Sequence, residues 1–335
     1  MTDPRGHRRL SFAGALYEAI RDSLREDRRM TVLGNWVFGL QFNNYMDALR
    51  EEFTTRIVEP PVAEAAMAAV GVGAAMAGAP TFVDLATGSF SFLAWSPIVN
   101  EASIVHYLSN GQLTAPVVFH LMHGIRGGGG PQHSFSPQAM LWNVPGLELV
   151  MPSTPYEAKG LMRRAIKSRN PTAFVDHTKL MAMEGEVPEE DYEIPFGVAE
   201  IKRPGRDVTL VATSHQVHLA LSAAEQLASE GIEVEVVDPR TLVPFDEATI
   251  LDSVRGTGRL AVLDECSLRC GVASEIVATV SEKAFGQLKT APIRLARPDV
   301  PVPFSSVLEA EFLPDLNRVV SAIRAQVGSG GPTGR

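Results

Sequence analysis

The sequence predicts an α/β protein of two domains, each with a mainly parallel sheet flanked by helices. Three observations carry this expectation. At 335 residues the chain is longer than one ordinary domain, and each half is long enough for its own core. Short apolar runs alternate with segments of helical period, the pattern of a parallel sheet with helices on its faces. An acidic, proline-punctuated stretch at 184–197, EGEVPEEDYEIPFG, interrupts that alternation before it restarts. The expected organisation is a first domain over 1–183, a linker over 184–197, a second domain over 198–328 and a flexible tail over 329–335.

Ser11 precedes Leu16, Ile20 and Leu24 at helical spacing, which predicts a capped helix over 11–26. Residues 30–34 (MTVLG) read as a short buried strand and 57–58 as another, ended by Pro60-Pro61. From 62 to 77 the chain is mostly Ala, Gly, Met and Val, which predicts a helix buried on all sides. Strands follow at 81–85, 116–119 and 147–151. Thr154-Pro155-Tyr156-Glu157 combines a threonine cap, a proline at the first helical position and a glutamate placed to close a capping box. That helix should run to about Lys167, where Asn170-Pro171 breaks the chain before a strand at 172–175. Beyond the linker, 208–212, 232–237 and 260–263 read as strands, with helices at 216–229 and near 247–254.

Hydrophobic residues make up 45% and charged residues 21%, a globular mixture with no sign of disorder outside the ends. The net charge of -9 disfavours a nucleic-acid partner, because that field repels phosphate. Two cysteines, Cys266 and Cys270, are too few for a secreted disulfide framework or a four-ligand zinc site, and read as ordinary reduced thiols. Charged residues interrupt the N-terminal segment, and no run approaches the length of a membrane span, so the expected location is cytoplasmic.

Gly71-Val72-Gly73 is half of a dinucleotide fingerprint but lies inside a helical run, where close helix packing explains it. No G-x-x-x-x-G-K-[ST] loop and no G-x-S-x-G elbow occur. Glu64 is more informative. It opens an otherwise uncharged helix, and the next charged residue is Asp84. Helix capping explains a carboxylate there, and so does a functional carboxyl kept in apolar surroundings. Gly127-Gly128-Gly129-Gly130-Pro131-Gln132-His133-Ser134 lets backbone approach a ligand, or is a floppy surface loop. His133 beyond it is a candidate acid/base. His120 and His123 read as structural or rim residues.

Taken together, PVAEAAMAAVGVGAAMAG (61–78), GGGPQHS (128–134), PGLELVMPSTPYEAKGL (145–161), GEVPEEDYEIPFG (185–197), VEVVDPRTLVPFD (234–246) and PDVPVPF (298–304) resemble the beta subunits of pyruvate-type, branched-chain 2-oxoacid and acetoin dehydrogenases. The resemblance spans about 10 to 328. It implies a pyrimidine-binding domain followed by a transketolase C-terminal-like domain. It implies thiamine diphosphate as cofactor, with Glu64 bonding the pyrimidine ring nitrogen, Phe90 against the pyrimidine, and His133 in acyl transfer to a lipoyl arm. It also implies a structural potassium ion on main-chain carbonyls at Val117, Ala165, Ile166, Ser168 and Asn170, although Ser168 stands where the family has an acidic residue.

The family's magnesium-diphosphate motif, G-D-G…N, is absent here. The resemblance therefore implies that an alpha subunit holds Mg2+ and diphosphate in an alpha2-beta2 assembly, with a lipoyl acyltransferase as further partner. Gly34-Asn35-Trp36, Leu93, His123-Gly124-Ile125-Arg126 and the stretch from Cys266 to Cys270 depart from the family's pattern. The main expectation is a subunit that decarboxylates a 2-oxo acid or cleaves acetoin. The alternatives are a split transketolase-like ketol transferase and a catalytically degenerate subunit that stabilises its partner.

Overall fold

The structure is a computed structural model, described for residues 7–329. The expected tail lies, from residue 330 on, outside the described residues. The strands are β1 (His7–Ser11), β2 (Thr31–Leu33), β3 (Ile57–Val58), β4 (Thr81–Thr87), β5 (Val117–His123), β6 (Glu148–Val150), β7 (Thr172–His177), β8 (Glu184–Pro188), β9 (Glu200–Arg203), β10 (Val208–Ala212), β11 (Val234–Asp238), β12 (Thr241–Val243), β13 (Leu260–Ser267) and β14 (Ile293–Arg297). Two compact units divide the chain. One holds the residues up to Arg126, Gln132–Phe196 and Leu242–Pro244, and the other Gly127–Pro131, Gly197–Thr241 and the residues from Phe245 onward.

In the first unit a seven-stranded sheet runs in the order β12-β6-β7-β5-β4-β2-β3. The pairs from β6 through β3 are parallel. Strand β5, VVFHLMH, is buried along its whole length, as a central strand covered on both faces must be. Helix α1 (Phe12–Glu26) buries Phe12, Leu16, Ile20 and Leu24, and Ser11 caps it by accepting from Gly14 N at 3.0 Å. The helix Pro155–Lys167 begins with the expected capping box between Thr154 and Glu157. It buries Arg163 completely. That guanidinium donates to Ser23 Oγ (2.6 Å), Glu26 (2.5 Å) and Asp191 (2.7 and 2.9 Å), so the buried cation is paired.

In the second unit a five-stranded sheet is ordered β14-β13-β10-β11-β9. Its strands are parallel except β9, which runs antiparallel to β11. Gln216–Ala228 and Leu316–Gly328 contribute Val217, Ala220, Leu227, Val319 and Ile323 to its core. Cys266 is buried in β13 and Cys270 is exposed, both as free thiols. Among the described residues no helix is long and apolar enough to cross a membrane.

Three findings differ from the sequence reading. The stretch read as linker begins with a strand, because β8 pairs antiparallel with β1, and Ile194 is buried in the first core beside Tyr192. Helix α2 (Asn43–Phe53) was not expected, although Met46, Leu49 and Phe53 form its buried stripe. Helix α3 (Glu64–Met76) is not buried on all sides. Val70 on it is 58% exposed and Val62 just before it 74%. Apart from Glu64 the helix is apolar, and in the single chain it exposes one face. Its other face packs tightly, since a Cβ on Gly71 would lie 2.3 Å from Val83 Cγ2.

Candidate active site

A cavity of about 750 Å³ opens in the first unit. Its lining comes from the segments that follow β2, β4, β5 and β7, and from the start of α3. These segments follow the C-terminal ends of parallel strands, where open α/β sheets bind ligands.

Glu64, Phe90 and His133 all line this cavity. Glu64 is the first residue of α3 and is 9% exposed. No hydrogen bond or ion pair engages its carboxylate among the described residues. It makes no capping hydrogen bond, although it stands in the first turn of α3, where the helix dipole favours a carboxylate. Phe90 sits in the 3-10 turn Gly88–Phe92 after β4 and is half-buried. Its ring meets His133 edge-on, with centroids 5.6 Å apart at 81°. Ser89 Oγ donates to the Gln132 carbonyl, tying the two segments together. The glycine run before His133 is not floppy. In the second unit, Glu309 accepts from Gly127 N at 2.5 Å and Gly128 N at 2.6 Å, although Glu309 lies more than 180 residues away in the chain.

Two lining residues were missed from the sequence. Asp84 Oδ2 accepts from Trp36 N at 2.6 Å, and Oδ1 accepts from Ala86 N at 3.0 Å, so one carboxylate shapes two turns of the cavity wall. Gly34 makes the first turn possible, with φ of 124° and room for no Cβ, which would lie 2.7 Å from Asp84 Cβ. Arg126 is the second. Among the described residues its only hydrogen bond reaches Thr87 Oγ1 at 3.5 Å, and its buried Nε has no partner. Burial pushes its pKa down. Its segment, His123-Gly124-Ile125-Arg126, departs from the family's pattern, but a solitary arginine next to glycines does not by itself indicate a role. Leu93, by contrast, is 60% exposed and does not line the cavity.

Behind the cavity wall, His120 is fully buried between two carboxylates. Its Nδ1 lies 3.2 Å from Asp84 Oδ1 and its Nε2 2.8 Å from Asp176 Oδ2. Burial alone would push the imidazole down. The charge and hydrogen bond of Asp176, with the hydrogen bond to Asp84, outweigh it and raise the pKa to about 10. Burial pushes the Asp176 carboxyl up, against the pull of His120. His120 is thus structural, as read. His123 is buried rather than on a rim, and meets the His177 ring edge-on at 4.9 Å.

The positions matching the family's potassium ligands fall at the start of β5 (Val117), in the last turn of the helix Pro155–Lys167 (Ala165, Ile166), and just beyond it (Ser168, Asn170). Ser168 Oγ and Asn170 Nδ2 donate to Glu148 at 2.7 and 3.0 Å. Glu148, on β6, thus places a carboxylate beside Ser168 and Asn170.

The fold and site define a two-domain α/β enzyme subunit, and comparison with known proteins identifies its family. Residues 8–183 match the transketolase pyrimidine binding domain, and 197–319 match the transketolase C-terminal domain. The chain belongs to the transketolase family. Among its relatives is the acetoin:2,6-dichlorophenolindophenol oxidoreductase subunit beta of Cupriavidus necator, 39% identical over 96% of this chain and 99% of the relative. The 2-oxoisovalerate dehydrogenase subunit beta of Bacillus subtilis is 35% identical, over 94% of this chain and 98% of its own. The pyruvate dehydrogenase E1 component subunit beta of Rhizobium meliloti is 37% identical, over 92% of this chain and 68% of its own. A solved split gene transketolase, described as an inactive beta4 tetramer, shares the fold with a TM-score of 0.78 at 20% identity, covering 95% of this chain and 99% of that one.

Proposed function

We propose that this chain is the beta subunit of a thiamine-diphosphate-dependent dehydrogenase component that decarboxylates a 2-oxo acid or cleaves acetoin. It works with an alpha subunit in an alpha2-beta2 assembly and passes the acyl group to a lipoyl acyltransferase in the cytoplasm. One observation carries the reading: Glu64, Phe90 and His133, far apart in sequence, converge on one cavity at the C-terminal edge of a parallel sheet. The whole-chain relatives, subunits of 2-oxoacid dehydrogenases and acetoin oxidoreductases, favour it over a split ketol transferase.

The cavity fits the pyrimidine half of the cofactor. It pairs an apolar, aromatic wall with one carboxylate that has no competing partner. When bound, thiamine diphosphate supplies a carbon nucleophile and an electron sink for decarboxylation. Glu64 holds and relays a proton at the pyrimidine ring nitrogen, a task for a carboxyl sheltered from water. Phe90 offers a flat apolar face to the ring. His133 moves a proton during acyl transfer, with its ring set by the edge contact to Phe90.

The exposed face of α3 supports a partner chain, because an apolar helix face of this kind is covered in the assembled enzyme. Mg2+ and diphosphate fall to that partner, since this chain carries no G-D-G…N motif. A potassium ion would be held by the carbonyls at Val117, Ala165, Ile166, Ser168 and Asn170. The negative end of the helix dipole and the Glu148 carboxylate suit a cation there. Its contribution would be structural.

The test is co-expression with the alpha chain and turnover of 2-oxo acids and acetoin with an artificial electron acceptor. Glu64→Gln keeps the hydrogen bond but cannot relay the proton, and is expected to fold and assemble normally with turnover almost abolished. Near-normal turnover of that variant overturns the assignment.

A further inference from the structure

Arg126 stands apart from the other deeply placed arginine of the first unit. Arg163 is fully buried and meets Ser23, Glu26 and Asp191. Arg126 lines the cavity, has no ion pair among the described residues, and keeps a buried Nε without a partner. Its one contact, to Thr87 Oγ1 at 3.5 Å, is at the limit of a hydrogen bond. A guanidinium half out of water and unpaired is unfavourable, and burial already pushes its pKa down. The same fork of donors is a ready receptor for a planar anion.

The other charged residues of the cavity do not satisfy it. Asp84 is occupied by Trp36 N, Ala86 N and His120. Glu64 is reserved for the pyrimidine in the reading above. Lys179 is exposed and solvated. The walls are otherwise apolar and aromatic, including Trp36, Phe42, Met67 and Met122. Lys179 is the cavity's other cation, and of the two Arg126 is the half-buried one, so in such a cavity it selects a ligand with one carboxylate on an apolar body.

We infer that Arg126 receives the carboxylate of the substrate, so that this site is built for a 2-oxo acid and not for the neutral hydroxyketone acetoin. The inference rests on the function proposed above and deepens it. Arg126 is a binding and specificity residue. Its contact to the carboxylate is present before the bond breaks, so its loss falls mainly on KM.

The experiment uses the complex reconstituted with its alpha subunit. Pyruvate, 2-oxoisovalerate and acetoin are compared as substrates on wild type, Arg126→Gln and Arg126→Lys, with the methyl esters of the two acids, which have no carboxylate to lose as CO2, used only as competitive inhibitors. Thiamine diphosphate binding is measured alongside. Wild type is expected to turn over each acid in preference to acetoin. Arg126→Gln is expected to lower kcat/KM for the acids about 10- to 100-fold through KM, the range for a lost charge-assisted bond. Inhibition by the esters and cofactor binding should be unaffected, and Arg126→Lys should fall between, keeping the charge but losing the fork. Turnover of acetoin alone, or an unchanged KM for the acids in Arg126→Gln, overturns the inference while leaving the proposed function standing. So does weakened cofactor binding in Arg126→Gln, which would assign the arginine to the diphosphate. Thiamine-independent or absent turnover of every substrate overturns both.

Discussion

Replacing His120 by asparagine removes the cation from a fully buried Asp84–His120–Asp176 cluster. At an effective dielectric near 20, a charge pair at the 2.8 Å of the Asp176 contact is worth about 6 kcal/mol, and at the 3.2 Å of the Asp84 contact about 5 kcal/mol. Dehydration offsets much of this, but breaking such a cluster leaves two uncompensated carboxylates, at a net cost of about 3–5 kcal/mol. The chain has 3 tryptophans, Trp36, Trp95 and Trp142, all in the first unit, so their fluorescence reports its unfolding. With a urea slope of about 2 kcal/mol/M, the midpoint at pH 7 should fall by about 2 M. The sign of the pH dependence follows from the raised pKa. The folded state holds the imidazole proton to about pH 10, against an ordinary value of 6.5. The stability it contributes is complete below pH 6.5 and drains away as pH rises toward 10. The gap between wild type and His120→Asn should therefore be widest near pH 6.5 and shrink toward pH 10. A variant within about 1 kcal/mol of wild type at pH 7 would refute the argument, given the minimum expected from the buried charges. So would a gap unchanged across that range.

Val70→Asp, on the exposed face of α3, should leave the chain's own melting temperature nearly unchanged yet weaken assembly with the alpha subunit at least about tenfold, read by light scattering. Unaltered assembly would exclude that face as the partner surface. Glu309→Ala removes the acceptor of two glycine amides. Faster hydrogen exchange at Gly127 and Gly128 is expected, with a loss of about 1–3 kcal/mol in stability of the unit. Unchanged protection would mean the loop is held by other contacts.

Local chemistry was legible in the sequence wherever one segment contains its own explanation. Ser11 and the Thr154–Glu157 box started their helices as expected, and the apolar runs at Val208–Ala212 and Ile57–Val58 became strands. The strand β1–β8 was not legible, because its partners lie far apart and neither alternates strongly. The buried stripe of α2 was present in Met46, Leu49 and Phe53 but hidden among charged residues.

The sequence by itself determined the two-domain α/β class, the family and the lone carboxylate at Glu64, because composition, period and ordered motifs are properties of the chain read in one dimension. Only the tertiary structure decided that Glu64, Phe90 and His133 share one cavity, that Asp84 shapes its wall, and that Arg126 faces it with no ion pair among the described residues. It also placed the Glu148 carboxylate beside Ser168. Pairing and its absence depend on which groups packing brings within a few ångströms, and residues 34 to 182 of this cavity meet only when parallel strands set their C-terminal ends side by side.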